Sequence, residues 1–316
     1  MKPKLYLYVH KASHFLRWER PELDKYFEVV QEPSADIPLL VFGPEAVEKA
    51  AELPASKRFA YIFPGFDVNP LHDLEFRKKM LAIFDERFEL VFMNNGPLVK
   101  AYGKGPKFSI VPFSIDTKLV DFKRYRTRID SLLHVSQAAY QKDWERSVAI
   151  MEATGLPFKL FPPRGVELHT RQEIWQRRLN RLFVRTGVKF RYDVPPKGYV
   201  KHSKVIELYH QYDGFVHIAG EKFHKRYIDG HILSTMLEAG LTGSILFWHD
   251  THGMGPALET VFDMPLDIEL AAARILELRE SLDVEKHSRA TREEILEKHN
   301  PEKSVRLRAE QMLERL

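Results

Sequence analysis

The stretch Tyr209–Asp250, YHQYDGFVHIAGEKFHKRYIDGHILSTMLEAGLTGSILFWHD, decides the fold of this chain. Its pattern predicts a helix, a buried strand, a polar loop, a helix that opens at Gly230-His231 and contains Glu238, a glycine stop and a second buried strand. This order places a helix N-terminus and a carboxylate at the carboxyl edge of a parallel sheet, where open α/β sheets bind ligands. The stretch therefore predicts a ligand site that suits an anion.

The same alternation of short apolar runs and helical patterns continues outward in both directions, which is typical of parallel sheets built from β-α-β units. In the first half, the predicted strands are Lys4–Val9, Tyr26–Val30, Pro38–Phe42, Phe59–Phe63, Glu89–Met93 and Phe108–Val111. The predicted helices there are Glu45–Glu52 and Glu75–Glu86. In the second half, the predicted strands are Leu132–Val135, Phe158–Phe161, Lys189–Val194, Phe215–Ile218 and Ser244–Trp248. The predicted helices there are Tyr140–Thr154, Arg171–Phe183, Lys204–Tyr212 and His231–Ala239.

Two successive α/β domains are the simplest architecture for this element order. Residues 112–130, PFSIDTKLVDFKRYRTRID, lack a sustained period and indicate a linker between them. We place the first domain at 1–118, the linker at 119–130 and the second domain at 131–316. Beyond residue 265 three helical stretches remain, and the last opens at Asn300-Pro301-Glu302, which is typical of a capped helix start. We expect this helical tail to brace the domains.

Composition excludes several classes of protein. The chain of 316 residues has no cysteine, which excludes disulfides, thiolate metal sites and cysteine nucleophiles. No apolar run reaches the roughly 18 residues of a membrane span, and the N-terminus lacks the apolar core of a signal peptide, so a cytoplasmic location is the default expectation. Residues 123–231 carry 21 Lys/Arg against 11 Asp/Glu. This excess fits a solvated basic face, or attraction to a diphosphate, to an anionic membrane surface in peripheral contact, or to nucleic acid.

Two common phosphate-binding motifs are missing. The first predicted strand runs into His10-Lys11-Ala12-Ser13-His14 instead of a G-x-G-x-x-G turn, and no G-x-x-x-x-G-K-[ST] occurs. Ligand phosphates are therefore expected at the helix that opens near Gly230, where backbone N–H groups lack partners and Ser234 and Thr235 add hydroxyls. Glu238 could accept hydrogen bonds from sugar hydroxyls such as those of a ribose, or be a helix former on a solvated face.

Four segments resemble the GT-B glycosyltransferases, and within them the retaining family 4 type. VPFSIDTKL (Val111–Leu119) is similar to the interdomain segment of that family, and Ser131–Gly155 is similar to the first strand and helix of its C-terminal domain. Val205–Gly220 and Gly230–Trp248 are similar to its "ELxxLYxxADVFVxPS" and "GFGxxxLEAMAxGxPVV" segments. The resemblance covers about residues 111 to 250 and implies two Rossmann-like α/β/α domains that face each other across a cleft, followed by C-terminal helices.

The resemblance also implies an activity. It implies transfer of a sugar from a nucleoside diphosphate sugar to an acceptor, with retention of anomeric configuration, without a bound metal or a cofactor, and with the nucleotide sugar as co-substrate. Lys142 fills the position of the family lysine that binds the diphosphate, whereas Ser136-Gln137 replace its Gly-Arg pair. Glu238 matches the second family glutamate, and the first falls on Gly230, so that Asp229, one residue earlier, or Glu221 is the candidate to replace it.

Further residues are assigned by position. The catalytic candidates are Lys142 and Asp229, and the donor-binding candidates are Ser136, Tyr199, Glu221, Gly230, His231, Ser234, Thr235 and Glu238. His10, His14 and Asp67 follow N-terminal strands on the side that faces the cleft, and are either acceptor-binding residues or surface polar residues. The acceptor itself, a glycan, a lipid-linked molecule or another compound, is not specified by the sequence. Two alternatives stay open: a glycosyltransferase of the same fold that modifies nucleic acid, and a two-lobed sugar- or nucleotide-binding protein without transfer activity.

Overall fold

Two parallel sheets with helices on their faces make up the computed structural model of this chain. Within residues 13–17 the structure describes the backbone alone. The residues that the structure describes are 2–9, 13–43, 46–62, 73–94, 99–100, 102, 107–118, 120–136, 143–161, 202–219, 234–249 and 258–316.

The first sheet contains six described strands, all paired in parallel, in the order β2-β1-β3-β4-β5-β6. Its strands are β1 (Lys4–Val9), β2 (Glu28–Val30), β3 (Leu39–Phe42), β4 (Arg58–Ile62), β5 (Leu90–Met93) and β6 (Phe108–Ile110). The described helices among them are α1 (Ser13–Tyr26), α2 (Val47–Glu52) and α3 (Leu74–Arg87).

The second sheet contains five described strands, also parallel, in the order β11-β10-β9-β7-β8. Its strands are β7 (Leu132–Val135), β8 (Phe158–Phe161), β9 (Gly214–Ile218), β10 (Ile245–His249) and β11 (Phe262–Asp263). The described helices among them are α4 (Trp144–Ala153), α5 (His202–Gln211) and α6 (Ser234–Leu241). Three further helices follow: α7 (Ile268–Ser281), α8 (Val284–Lys298) and α9 (Pro301–Leu313).

Each sheet is covered on both faces, which explains why its central strands are buried along their whole length instead of alternating between buried and exposed residues. All residues of β3 and β5 and all of β9 are buried. In the second domain, α5, α6 and α8 pack on one face, and α4 and α7 pack on the other. The prediction of two parallel α/β layers is therefore confirmed, and β7 and β8 have the predicted bounds.

Several predicted elements differ from the structure or lie outside its description. Tyr26, predicted as the first residue of a strand, instead ends α1, a helix that the sequence pattern does not predict. Pro21 lies inside this helix and obscured it, because proline usually ends a helix. The predicted helix Arg171–Phe183 and the predicted strand Lys189–Val194 lie outside the described residues.

Both sheets have a point at which the strand order reverses. In the first sheet β1 lies between β2 and β3, and in the second β7 lies between β8 and β9. Open α/β sheets bind ligands in the crevice outside the carboxyl ends of the two strands that flank such a point. The fold itself therefore indicates the carboxyl ends of β7 and β9, and those of β1 and β3, as the places for ligands.

The last two helices connect the two sheets. Ile295 of α8 packs into the core of the second domain, whereas Val305, Ala309 and Met312 of α9 pack against the first sheet beside α1. Asn300 caps α9, because its side chain accepts a hydrogen bond from the N–H of Glu302, as the sequence predicted. The helical tail thus returns the chain to the first domain.

His299 lies at the junction between α8 and α9 and is only 2% exposed. Its Nδ1 donates to the carbonyl of Phe113 at 2.6 Å, and its own carbonyl accepts from the N–H of Ile115 at 2.9 Å. Burial lowers the pKa of His299 to about 4, although the hydrogen bond to Phe113 opposes this shift. The neutral imidazole therefore holds the interdomain segment against the helical tail.

Acid is expected to destabilise the fold through His299. Because the pKa is lower in the folded protein than the ~6.5 of an unfolded histidine, the unfolded state binds more protons between these values. The contribution of the neutral His299 side chain to the free energy of unfolding is fully present above pH ~6.5. It falls by about 3 kcal/mol as the pH drops to 4. Urea unfolding between pH 7 and 4.5 should show a flatter pH dependence for His299→Asn, whose amide donates without titrating. Parallel curves for the variant and the parent protein would contradict this prediction.

Candidate functional site

The N-termini of α5 and α6 point to the carboxyl edge of the second sheet. Both helices end at the amino edge, where the buried side chain of Arg126 donates to the carbonyls of Tyr209, Tyr212 and Thr242. A helix of about ten residues spans about 15 Å, roughly the length of a five-residue strand. Two helix N-termini, each with a positive dipole end, therefore converge where the fold indicates a ligand site.

Glu238 lies one turn inside α6 and is only 8% exposed. Its Oε1 accepts a hydrogen bond from Nε2 of His202, the first residue of α5, at 2.8 Å. The hydroxyl of Tyr209 is buried beside the same carboxylate, and its pKa is raised well above the usual value, first by burial and then by the negative charge of Glu238. Burial excludes the alternative that Glu238 is a helix former on a solvated face.

Thr235, in the first turn of α6, presents a second unusual polar atom. Its Oγ1 is buried and has no hydrogen-bond partner within the part of the chain that the structure describes. Ser234 begins the same helix and is partly exposed. Because buried hydroxyls almost always have a partner, the Thr235 hydroxyl next to a helix N-terminus is consistent with a group that a ligand would complete.

A histidine separates β7 from β9 at the reversal point. The two strands pair through the backbones of Leu132 and Leu133. At the next position the side chain of His134 replaces the backbone pairing, with its Nδ1 2.7 Å from the carbonyl oxygen of Val216. A carbonyl only accepts, so Nδ1 carries the proton, and in the neutral ring Nε2 accepts from the Ser136 hydroxyl at 2.7 Å. The ring thereby fixes the orientation of the Ser136 hydroxyl at the predicted crevice.

Stacked rings continue across the neighbouring strands. The rings of His134 and His217 stack with centroids 5.1 Å apart, and the rings of His217 and Trp248 stack at 4.9 Å. All three side chains are at most 3% exposed. The sequence does not predict a role for these residues in the site, because a single polar residue within an apolar run does not reveal which strand lies next to it.

Asp143 adopts a left-handed backbone conformation, with φ of 39°, directly before α4. Its buried carboxylate accepts from Nε of Arg146 at 2.7 Å, and Nη1 of Arg146 also donates to the carbonyl of Leu266 at 2.7 Å. The expected helix start at Tyr140 is wrong, since α4 begins at Trp144. Non-glycine residues in this conformation occur mainly where the surroundings enforce them, often at functional sites, and Asp143 directly follows the predicted catalytic Lys142.

The structure places part of the predicted site at one edge. Ser136, Ser234, Thr235 and Glu238 all belong to the carboxyl side of the second sheet or to the helix that opens there. His14 lies in α1, of which only the backbone is described at this position. Outside the described residues lie His10, Asp67, Lys142, Tyr199, Glu221, Asp229, Gly230 and His231.

Among the described residues, no three His, Asp or Glu side chains are grouped so that they could hold a metal ion. No helix in the same part of the chain combines the length and the hydropathy that a bilayer crossing requires.

This chain is similar to known proteins in structure but not in sequence. No family model and no curated protein matches the sequence. Several solved structures are similar to this chain, and three of them follow. Anabaena HepE in complex with UDP is 14% identical, with a TM-score of 0.60 over 99% of this chain and 100% of that one. S. aureus TarM in complex with Fondaparinux, alpha-GlcNAc-glycerol and UDP is 14% identical, with a TM-score of 0.58 over 87% and 55%. AviGT4, a glycosyltransferase involved in avilamycin A biosynthesis, is 13% identical, with a TM-score of 0.55 over 98% and 96%.

These likenesses concern the fold. The paired parallel sheets and the C-terminal helices are those of the GT-B fold, so the fold that the sequence resemblance implied is confirmed. The match to HepE extends over the first domain as well, where the sequence resemblance is weak or absent.

Proposed function

We propose that this chain is a glycosyltransferase that moves a hexosyl or pentosyl group from a nucleoside diphosphate sugar to an acceptor, with retention of configuration and without a metal ion. One observation carries the proposal: a buried carboxylate, Glu238, lies between two helix N-termini at the carboxyl edge of the second sheet. HepE and TarM, which have the same fold, have been solved in complex with UDP. An anionic nucleotide suits an edge at which positive helix ends meet.

The proposed transfer requires stabilisation of the negative charge on the leaving diphosphate. As the bond between sugar and diphosphate breaks, negative charge accumulates on the leaving diphosphate, and donors that are already in place stabilise it at little reorganisation cost. In the proposed mechanism the ammonium of Lys142 and the N–H groups at the start of α6, near Ser234 and Thr235, supply this stabilisation. Asp229 or Glu221 would contact the transferred sugar, and Tyr199 would lie beside the base.

The acceptor is proposed to bind on the first domain. His10, His14 and Asp67 follow or neighbour its strands at the edge that would face the donor, and their hydrogen-bonding side chains suit a hydroxylated acceptor. Closure of the two domains would then exclude water and limit hydrolysis of the donor. The basic residues 123–231 supply a candidate contact for an anionic surface or for a nucleic acid, and a steep salt dependence of binding would indicate the latter.

A nucleotide screen tests the proposal directly. A specific nucleoside diphosphate should raise the melting temperature of the purified protein, because a ligand that binds only the folded state stabilises it. The screen uses UDP, GDP, ADP and dTDP, with CMP as a nucleoside monophosphate beside them, followed by incubation with the sugar nucleotides of those that bind. Release of the diphosphate from the donor, with or without transfer, supports an enzyme. Binding without any turnover would favour the non-catalytic alternative, and the absence of binding would overturn the proposal.

The Glu238→Gln variant is expected to bind the selected nucleotide about tenfold to a hundredfold more weakly, since hydrogen bonds to a charged acceptor contribute about 1.5–3 kcal/mol. Isothermal titration calorimetry gives the affinity. Glu207→Gln is the matched control, because Glu207 lies on the adjacent α5 but is exposed. Equal affinities of the two variants would remove Glu238 from the binding site.

A further inference from the structure

His202 is the residue through which the structure extends this site. It is the first residue of α5, and 47% of its side chain is exposed, whereas the carboxylate that it contacts belongs to a buried residue 36 positions later in the chain. The hydrogen bond between His202 and Glu238 therefore connects an exposed side chain at the carboxyl edge of the sheet to a buried one. Because Nε2 of His202 lies 2.8 Å from Oε1 of Glu238, the ring nitrogen donates and the carboxylate accepts.

The contact restricts how Glu238 can meet a ligand. A carboxylate has about four lone-pair sites on its two oxygens and no donor. His202 occupies one site on Oε1, and the ring of Tyr209 packs in the core beneath the same carboxylate. Both residues belong to α5, so one neighbouring helix restricts the direction of the carboxylate, which presents its remaining lone pairs to groups that donate hydrogen bonds. A phosphate does not donate at neutral pH, whereas two adjacent hydroxyls do.

We propose that His202 is a positioning residue for recognition of a ribose: it holds Glu238 in the one orientation in which the carboxylate accepts from the two neighbouring hydroxyls of a ribonucleoside diphosphate. The inference rests on the proposed function and adds to it a specific consequence. Discrimination against 2′-deoxyribonucleotides depends on His202 as well as on Glu238. Without the imidazole, the side chain of Glu238 can rotate toward water. The hydrogen bond from the second ribose hydroxyl then adds little to the binding free energy.

The position of His202 supports this role over a purely structural one. A structural partner for a buried carboxylate is normally buried with it, as Arg308 is with Glu19 elsewhere in this chain. His202 instead lies nearly half exposed at a helix N-terminus that faces the predicted ligand crevice. Loss of its contact should therefore change ligand selectivity more than it changes folding stability.

A ligand-by-variant comparison tests the inference. Calorimetry would measure UDP against 2′-deoxy-UDP, ADP against 2′-deoxy-ADP and GDP against 2′-deoxy-GDP on the full chain. For the base that binds, the parent protein should prefer the ribonucleotide by about tenfold, the effect of one hydrogen bond to a charged acceptor. In His202→Phe this preference should fall below about threefold, because ribonucleotide binding weakens while deoxyribonucleotide binding changes little.

Two more variants make the result specific. His202→Gln keeps an N–H donor that can reach the carboxylate and should restore most of the preference. Lys204→Gln removes an exposed charge from the same first turn of α5 and should leave the preference unchanged. An unchanged ribose preference in His202→Phe would overturn this inference while leaving the proposed function intact. If none of the six nucleotides binds the parent protein, the inference fails, and the proposed function fails with it only if CMP and dTDP do not bind either.

Discussion

Replacement of Arg308 by methionine is expected to lower the free energy of unfolding by about 3–5 kcal/mol, because it leaves a buried carboxylate without its counter-charge. Arg308 on α9 is fully buried, and its Nη2 donates to Oε2 of Glu19 on α1, which is 2% exposed. The guanidinium also lies over the ring of Tyr61, 4.2 Å from the centroid. Glu19 accepts a further hydrogen bond from the hydroxyl of Ser114. Denaturant unfolding at pH 7 measures the loss.

A double-mutant cycle separates the pair from the packing around it. Glu19→Met should be destabilising by a similar amount, since it leaves the buried guanidinium unpaired. The double variant with methionine at both positions should be clearly more stable than the sum of the two single losses predicts, because apolar groups can replace a buried pair at small cost. Additive losses, or a single loss below about 1 kcal/mol, would show that the two charges do not depend on each other.

The second large effect is expected at Arg126, in the segment that leads into the second sheet. This side chain is 1% exposed, and burial lowers its pKa to about 10. Its guanidinium donates to the carbonyl of Tyr209 at 2.6 Å, that of Tyr212 at 3.0 Å and that of Thr242 at 3.2 Å. These carbonyls lie at and just beyond the C-terminal ends of α5 and α6, where carbonyl groups lack partners within the helix and a positive charge is favourable.

Arg126→Ala should lower the free energy of unfolding by about 3–5 kcal/mol, since several buried carbonyls lose their donor at once. Arg126→Lys should recover only part of this loss, because one ammonium cannot reach carbonyls that a planar guanidinium contacts from several nitrogens. The matched control is Arg128→Ala, two residues away, where 75% of the side chain is exposed beside Asp130. Denaturant unfolding should show a change below about 0.5 kcal/mol for that control. Similar losses for the two alanine variants would refute the role of Arg126.

Arg126 also connects folding to the candidate site. Tyr209, whose carbonyl it holds, packs its ring against the core beside Glu238, and α6 carries Glu238 itself. A segment expected from sequence to be only a linker thus fixes the far ends of the two helices whose N-termini form the site. Residues 120–131 contain neither helix nor strand. The pattern KRYRTR does not reveal that one of its arginines is buried, because nothing in the local sequence distinguishes that arginine from the others.

Much of the candidate site followed from the sequence, and part of it did not. Glu238 was found because a glutamate inside an apolar helix, just ahead of a glycine and a buried strand, is unusual for a solvated face. His202 was missed, since nothing in the local pattern pairs it with a carboxylate 36 residues away. His134 was missed for the same reason, because its partner Val216 lies 82 residues further along the chain.

The sequence by itself determined the type and order of most described elements, since apolar periodicity is a local property that the hydrophobic effect converts into buried strands and one-sided helices. Only the tertiary structure decided the order of the strands, and therefore the reversal point at β7 where the ligand crevice is expected. It also decided which charged groups are buried, as Arg308 and Glu19 meet across 289 residues of chain. A charge can leave water only where a partner compensates it, and that partner is supplied by the fold and not by the neighbouring sequence.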